Sequence, residues 1–310
     1  MKQKQGVESG KWAGATHPSG GCSSPLTTYD LPLPSKGFTL IEMIMVIVIT
    51  GIIGSMVAVF LKAPVQQYMD VARRADITDI ADTALRRITR DLHLALPNSV
   101  RVTGACDGVG SCNLEFIPTL GGGRYRAGPP GDELNFSDAT DNTFEVLGAG
   151  IDVANGDSIV IYNLGIAGAD AYGGTSRRLA AAPFGNGLVN ITFVPGGTQF
   201  PFDSPSHRFH VISRPVTYVC TPVAGGAGGT LTRYWGYAIQ AAQPTALATL
   251  TSVNPAALLA TNVSNCSFTY DPLVSARSGL VTMHLGITEA GANGNETVTL
   301  YSAAHVSNQP

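Results

Sequence analysis

The chain has 310 residues, of which 44% are hydrophobic and 13% are charged, a composition typical of a folded protein rather than a disordered one. Its formal net charge of −3 gives no overall attraction to a polyanion, which argues against a nucleic-acid-binding protein. The 36 glycines and 19 prolines occur mostly in short clusters between alternating apolar runs, and this pattern predicts many turns between strands.

The first apolar run, from Phe38 to Leu61, is long enough to cross a membrane. As a helix rising about 1.5 Å per residue it spans about 36 Å, whereas a bilayer core is about 30 Å thick. A cleaved secretory signal has a shorter apolar region, so the run predicts a lasting transmembrane helix. By the positive-inside rule, the lysines before it place the N-terminus in the cytoplasm and the rest of the chain outside. These lysines are Lys2, Lys4, Lys11 and Lys36.

Glu42 is an acid inside this run, and an acid in a bilayer costs roughly 2.5–3.5 kcal/mol on insertion scales. A plain uncleaved anchor explains every feature of the run except Glu42, and no basic residue in the run offers a counter-charge. If the chain is cut between Gly37 and Phe38, the new α-amino group lies about one helical turn from Glu42. Such an ammonium, on the same chain or on a neighbour in a bundle, would offset the desolvation of the carboxylate. A cut at this position would therefore supply the counter-charge that Glu42 needs, and Glu42 in turn favours the presence of such a cut.

The segment Lys36-Gly37-Phe38-Thr39-Leu40-Ile41-Glu42 resembles the type III signal of type IV pilins and type II secretion pseudopilins. The resemblance implies that a prepilin peptidase cuts between Gly37 and Phe38 and methylates the new N-terminus at Phe38. It also implies that Glu42 takes part in subunit assembly. The helix lacks the mid-helix proline of many major pilins, since the next proline is Pro64, and this departure favours a minor subunit.

The segment from Val65 to Leu96 predicts a second helical stretch, which Pro97 ends. Apolar residues at steps of three and four form one face: Ile77, Ile80, Ala81, Ala84, Leu85, Ile88, Leu92 and Ala95. Two pairs have the i,i+4 spacing of helical ion pairs, namely Asp82 with Arg86 and Arg87 with Asp91. We interpret the charged side as a solvated face, with contact to neighbouring subunits as the alternative.

From residue 98 onward the pattern changes to short alternating runs, which are typical of strands. The runs are VRVT, LEFI, ELNFS, DSIVIYNLG, LVNITFV, HRFHVI, VTYVC, TRYWGYAI, NCSFTYD, LVTMHLGIT and ETVTLYSAAHV, with turn clusters such as LGGGRYRAGPPGD and VAGGAGGT between them. The sequence therefore predicts an α+β fold, in which a long N-terminal α-helix packs on an antiparallel β-sheet headgroup, as the pilin resemblance also implies. The predicted divisions are a leader at 1–37, a transmembrane helix at 38–61, an amphipathic stalk helix at 62–97 and a β-rich headgroup at 98–310.

Loss of the leader removes Cys22 and leaves an even number of cysteines in a compartment where disulfides form. The remaining four, Cys106, Cys112, Cys220 and Cys266, allow three pairings. We favour Cys106 with Cys112, across a glycine-rich loop, and Cys220 with Cys266, between two predicted strands. Zinc binding by these cysteines is the alternative to disulfides, but no Cys-x-x-Cys spacing supports it.

The sequence has none of the Gly-x-Ser-x-Gly, His-Glu-x-x-His or phosphate-loop patterns, so we predict that the protein is not an enzyme and has no cofactor. His207 and His210 lie three apart in a predicted strand, face opposite sides and are interpreted as solvated or hydrogen-bonded rather than metal-binding. Asp138, Asp141 and Asn142 are weak candidates for a calcium site, with an acid-rich turn as the alternative. No other metal site is predicted.

Two further clusters have a binding interpretation and a structural one. Trp235, with Tyr234 and Tyr237, is either an exposed binding platform or, as the alternation favours, part of a half-buried strand. Two arginine pairs would suit contact with DNA, although the acidic mature chain argues against a nucleic-acid partner. These pairs are Arg124 with Arg126 and Arg177 with Arg178.

Residues 81–102 and 207–220 resemble a minor pilin-like branch of the mannose-sensitive haemagglutinin (MSHA) type IV pilus systems. The resemblance implies a structural subunit of the inner membrane with a periplasmic headgroup, which helps to initiate or cap the pilus and so can reach the cell surface at its tip. The implied partners are prepilin peptidase, other pilins or pseudopilins, the inner-membrane assembly platform and membrane lipid. The alternatives are a J-type pseudopilin of type II secretion and a pilus-tip adhesin or binding module displayed on a pilin stalk.

Overall fold

The computed structural model describes residues 37–245, 250, 255–275, 277–291 and 294–310, and the expected leader up to Lys36 lies outside these residues. A long helix, α1, spans Leu40–Leu92, and antiparallel strands follow it. Residues up to Val59 fall in one compact unit and Phe60–Pro310 in another. The expected α+β architecture, a long apolar N-terminal helix with antiparallel sheets, is confirmed.

The strands fall into three sheets and a barrel. In chain order they are β1 (Arg101–Gly104), β2 (Cys112–Phe116), β3 (Thr119–Tyr125), β4 (Thr143–Leu147), β5 (Ile151–Val153), β6 (Ser158–Ile161), β7 (Arg177–Ala181), β8 (Gly185–Leu188), β9 (Asn190–Phe193), β10 (Arg208–Ile212), β11 (Val216–Thr221), β12 (Thr230–Trp235), β13 (Ala256–Thr261), β14 (Val263–Ser275), β15 (Ser278–Gly291) and β16 (Gly294–Ser307).

Helix α1 differs from the prediction at Pro64 and at its C-terminal end. It continues through Pro64, so the stretch after this proline is not a separate helix. It ends at Leu92 rather than at Leu96, because the backbone beyond it pairs with the β2–β3 connection. The Leu96 N–H donates to the Ile117 carbonyl at 2.8 Å, and the Thr119 N–H donates to the Leu94 carbonyl at 2.7 Å. Bonds to a distant segment thus replace the last helical turn.

The C-terminal part of α1 supplies one side of the main core. The predicted apolar face is buried at most of its positions, although Ile80 is 38% exposed. The core helix residues are Ile77, Ala81, Ala84, Leu85, Ile88 and Leu92. They pack with residues of a five-stranded sheet, ordered β1-β2-β11-β12-β13, and of a three-stranded sheet, ordered β14-β15-β16. Burial of this stripe is what holds the helix on the β-structure.

A closed β-barrel is inserted into the five-stranded sheet. The chain leaves the sheet after β2, forms the barrel β10-β3-β4-β9-β7-β6, and returns as β11 beside β2. The barrel has its own aromatic core, in which the Phe144 and Phe209 ring centroids lie 4.9 Å apart in an edge-to-face contact. The headgroup therefore has a separate barrel core beside the main core, where the sequence predicted one sheet domain.

Several strand predictions need correction. The run ELNFS (133–137) forms loop and turn rather than a strand. Just before it, the Asp132 carbonyl accepts a hydrogen bond from the Glu145 N–H at 2.8 Å. The first half of the predicted turn cluster LGGGRYRAGPPGD is the barrel strand β3. Besides β3, five further strands lay outside or almost outside the predicted runs: β4, β5, β7, β8 and β13.

Candidate functional site

The start of α1 has the geometry of a capped helix. Gly37 and Phe38 precede the helix, and the Phe38 side chain is 78% exposed. The Glu42 N–H lies 3.3 Å from Thr39 Oγ1 and 3.1 Å from the Thr39 carbonyl oxygen. Thr39 and Glu42 thus have the Thr-x-x-Glu spacing of a capping box. The observed bonds use the Glu42 backbone N–H, and sequence reasoning did not draw on the Thr-x-x-Glu spacing that predicts such a cap.

The apolar run of α1 is exposed along its length. Its large side chains from Leu40 to Leu61 are each about half exposed or more, and α1 is long and apolar enough to cross a membrane by length and composition. Glu42 lies in the first turn of this run and has no ion pair among the described residues. An apolar surface of this size needs a covering of lipid or of other helices.

The N-terminal segment matches a known family model. Residues 34–58 match the prokaryotic N-terminal methylation motif. The matched segment contains Gly37, Phe38 and Glu42. It supports a type IV pilin-like signal, and thus a type IV pilin or pseudopilin subunit that prepilin peptidase processes and that assembles with other pilins. It points to a structural subunit rather than an enzyme, and with the apolar helix it indicates membrane anchoring. Neither curated proteins nor solved structures give a match.

Two disulfides occur among the described residues, and their pairs are those favoured from the sequence. Cys106 is bonded to Cys112, and Cys220 is bonded to Cys266. The second bond joins β11 of the five-stranded sheet to β14 of the three-stranded sheet. No group of three or more His, Cys, Asp or Glu side chains suited to a metal ion occurs in the described part of the chain.

The oxygens of the weak calcium candidates serve a turn. Asp138 Oδ1 accepts hydrogen bonds from Thr140 Oγ1 at 2.7 Å and from the Thr140 N–H at 2.8 Å, and these bonds lower the pKa of Asp138. Asp141 Oδ2 accepts from the Asn135 N–H at 2.6 Å, while Asn142 Nδ2 donates to the Phe193 carbonyl. The acid-rich-turn interpretation accounts for Asp138 and Asp141, whereas Asn142 bonds across to β9.

The two histidines have different environments. His207 precedes β10, and its Nδ1 lies 3.4 Å from Asp203 Oδ1. His210 lies within β10, and its Nε2 is buried with no hydrogen-bond partner among the described residues, so the expected solvation or hydrogen bonding is wrong for that atom. Burial, with a smaller contribution from the charge of Arg208, lowers the pKa of His210 to about 4.

Trp235 and Tyr234 belong to a strand, and three of the four arginines are at least partly buried within the headgroup. Trp235 is half-buried at the end of β12, with the Arg233 guanidinium 4.7 Å from its ring centre. Tyr234 and Tyr237 are buried. Arg126 pairs with Glu145 at 2.6 Å, Arg178 donates to carbonyls including those of Thr198 and Gln199, and burial lowers the pKa of the half-buried Arg177. Arg124 is exposed and donates to the Ser206 carbonyl.

Asp91 is a buried junction between α1 and the five-stranded sheet, which sequence reasoning took for part of a solvated face. The two expected helical ion pairs are present, with Asp82–Arg86 at 2.5 Å and Arg87–Asp91 at 3.2 Å. However, Asp91 is only 8% exposed. Its Oδ2 accepts from the Tyr218 hydroxyl at 2.7 Å and from Arg233 Nε at 2.8 Å.

A second buried carboxylate lies on the opposite face of the sheet. Glu115 of β2 is fully buried, and its Oε1 accepts a hydrogen bond from Arg101 Nη2 at 2.8 Å. Burial raises the pKa of Glu115, and Arg101 partly opposes the shift. Arg101 in turn lies 3.5 Å from the ring centre of Tyr172 and donates to the Gln240 carbonyl. This cluster fixes the segment after β12 to the sheet, and the alternation of β2 alone gave no sign of it.

Proposed function

We propose that this protein is a minor pilin-like structural subunit of an MSHA-type type IV pilus, an MshO-type protein that helps to initiate or cap the fibre. Prepilin peptidase cuts between Gly37 and Phe38, removes residues 1–37 and methylates Phe38. The observation that supports the proposal most strongly is the methylation-motif match at the start of an exposed apolar helix. The size of the headgroup and the barrel inserted into its sheet favour a specialised subunit.

The membrane-spanning part, residues 38–61, holds the subunit in the inner membrane before assembly. The N-terminus is cytoplasmic and the headgroup at 98–310 is periplasmic. During assembly the apolar side chains exchange lipid for neighbouring helices, so their burial is maintained while the subunit leaves the bilayer. Residues 62–92 form the amphipathic stalk, which the buried stripe of α1 attaches to the β-structure.

Glu42 directs this exchange by pairing with the α-amino group at Phe38 of a neighbouring subunit. No ion pair occupies its carboxylate among the described residues, and a charge in an apolar bundle is stabilised only by a counter-charge or by hydrogen bonds. Thr39 caps the helix through the Glu42 backbone N–H, and in a capping box the Glu42 carboxylate would return a hydrogen bond to the Thr39 N–H, which is a second, local role. The two roles are separable because glutamine also serves in a capping box but carries no charge.

The first test is mass spectrometry of the full-length protein purified from membranes of cells that contain prepilin peptidase. We expect a mature chain that begins at Phe38, carries one added methyl group and has both disulfides formed. A control expressed without the peptidase should keep residues 1–37. Recovery of an uncut chain from cells with active peptidase and normal pili would contradict the proposal.

The second test separates charge pairing from helix capping. Glu42→Gln and Glu42→Ala should both be cut and inserted normally, and both should lose co-purification with the other pilins of the system. Normal assembly of the glutamine variant together with failure of the alanine variant would assign Glu42 to capping alone. Loss of surface binding with normal pilus numbers, after deletion of the headgroup, would favour the adhesin alternative.

A further inference from the structure

The outer surface of the barrel carries two arginines directly opposite each other. Arg124 of β3 and Arg208 of β10 are cross-strand partners in an antiparallel pair, so their side chains leave the same face of the barrel. Both residues are exposed. Like charges placed opposite each other destabilise a sheet. The two guanidinium groups therefore repel each other, and this repulsion does not stabilise the fold.

No acidic side chain neutralises this pair within the described residues. Arg124 Nε donates to the Ser206 carbonyl oxygen at 3.0 Å, and neither arginine takes part in an ion pair there. On the next strand of the barrel, the residue opposite Arg124 is Leu147, which is 42% exposed. The nearby Arg126, in contrast, has Glu145 as an ion-pair partner. The terminal guanidinium nitrogens of Arg124 and Arg208 are thus left for a partner from outside.

A strip of bare backbone lies beside the two arginines. Gly122 is the cross-strand partner of His210, so both lie on the face of the arginines, one row along. A Cβ at Gly122 would lie 3.1 Å from His210 Nδ1 and 2.9 Å from the Phe209 carbonyl oxygen, so only glycine lets the imidazole lie close against β3. The result is a surface cleft of about 760 Å³, lined by residues 121–124 and 208–210 with Leu94, Thr119 and Leu120.

The charge of the cleft is set by the two arginines. His210 is half-buried beside them, with its Nε2 buried, and stays neutral near neutral pH, because burial and Arg208 lower its pKa to about 4. A phosphoryl monoester carries a charge of about −1.5 to −2 at pH 7, which matches two guanidinium groups. The planar guanidinium fork also fits the oxygens of phosphate in a bidentate way.

We propose that this cleft binds a phosphoryl group through Arg124 and Arg208. The bare backbone of residues 121–123 lets the group approach the sheet without obstruction by side chains. The phosphoryl group belongs either to a small soluble molecule or to the headgroup of an anionic lipid. The proposal is independent of the pilin function and concerns a part of the headgroup outside α1.

The test uses the full chain in a non-ionic detergent, with the Tm measured against inorganic phosphate at constant ionic strength and with chloride as the reference anion. We expect a saturable rise in Tm, and an apparent affinity at least tenfold weaker in Arg124→Gln and in Arg208→Gln. Arg90→Gln is the matched control, because Arg90 is exposed on α1 and has no ion pair among the described residues. Without phosphate and at low salt, both cleft variants should be at least as stable as the parent, since the repulsion is relieved.

A second arm replaces phosphate with a water-soluble short-chain phosphatidic acid, and uses the matching phosphatidylcholine as reference. A Tm rise with both phosphate and phosphatidic acid supports recognition of the phosphoryl group whatever molecule carries it. A rise with phosphatidic acid alone, lost in the Arg124→Gln/Arg208→Gln double variant, assigns the ligand to lipid. No rise with either probe, or a rise that the double variant retains, overturns the proposal.

Discussion

Removal of the Asp91 carboxylate should destabilise the headgroup far more than its place on a charged helix face suggests. Asp91→Ala leaves the Tyr218 hydroxyl, which is fully buried, without its acceptor and leaves Arg233, whose side chain is 15% exposed, without its counter-charge. Burial and the bond to Asp91 raise the pKa of Tyr218, so its hydroxyl remains a donor. Breaking a buried ion pair by removing one partner costs about 3–5 kcal/mol.

The same helix provides a matched control. Asp82 also pairs with an arginine four residues along, but its side chain is 45% exposed and that of Arg86 is 80% exposed. An exposed pair of this kind contributes about 0–1 kcal/mol. Asp82→Ala makes the same change in helix propensity and charge, so the difference between the two variants isolates the buried contacts.

The assay is urea unfolding of the mature full-length chain in a non-ionic detergent, followed by the fluorescence of Trp235. Trp12, the other tryptophan, lies in the expected leader, so the signal comes from β12 beside Arg233. In a parallel thermal unfolding experiment on the same sample, at about 2–4 °C per kcal/mol for a unit of this size, Asp91→Ala should lower Tm by roughly 6–20 °C. Asp91→Asn keeps one acceptor oxygen and should lie between the parent and the alanine variant.

A double-mutant cycle tests the mechanism. Arg233→Met removes the guanidinium that Asp91→Ala would leave unpaired, so the double variant should cost less than the sum of the two single variants. If Asp91→Ala costs no more than Asp82→Ala, or if the cycle shows no coupling, then the assignment of Asp91 as the junction between α1 and the sheet is wrong.

The remaining predictions concern the disulfides and acid stability. By loop closure, the Cys220–Cys266 bond across 46 residues should contribute about 4 kcal/mol to the free energy of unfolding, and the Cys106–Cys112 bond across 6 residues about 2 kcal/mol. The Cys220→Ala/Cys266→Ala variant should therefore unfold at a clearly lower urea concentration than the Cys106→Ala/Cys112→Ala variant. Equal urea midpoints for the two double variants would contradict this. The pKa of His210 is lowered to about 4 in the folded state, so the unfolded chain takes up a proton at a higher pH than the folded chain does. Above about pH 6.5 the ring is neutral in both states and no stability is lost, whereas up to about 3 kcal/mol of stability is lost as pH falls from 6.5 toward 4. His210→Gln should lack this acid-dependent loss when urea midpoints are compared with those of the parent between pH 7 and 4, and an unchanged pH profile would refute the assignment.

The sequence was sufficient for the elements that depend on local pattern. The apolar run and the stripe at steps of three and four predicted α1, because both signals are properties of neighbouring residues. The end of the helix was missed because Leu96 and Thr119 bond with partners from distant parts of the chain, which no local propensity reveals. Among the site residues, Gly37, Phe38 and Glu42 were predicted from the motif at the start of the apolar run, and the family match spans all three positions.

The barrel could not be predicted because its strands are defined by packing against distant partners. The glycines of β3 are typical of a turn when only local propensity is considered. In the folded chain they are strand residues that make room for other side chains: a Cβ at Gly123 would lie 3.1 Å from the Phe209 ring. The need for glycine there arises on β10, more than eighty positions away, and becomes visible only once the two strands are paired.

Asp91 shows the same limit for a functional contact. Its i,i+4 spacing from Arg87 predicted an ion pair, and the pair is present, yet the spacing says nothing about burial. Burial is decided by Tyr218 and Arg233, which lie 127 and 142 residues away. A short-range pair on a helix is therefore a correct local prediction that can conceal a long-range anchor. In a subunit whose stalk must carry its headgroup through assembly, that anchor is where a charge change on α1 should first weaken the attachment.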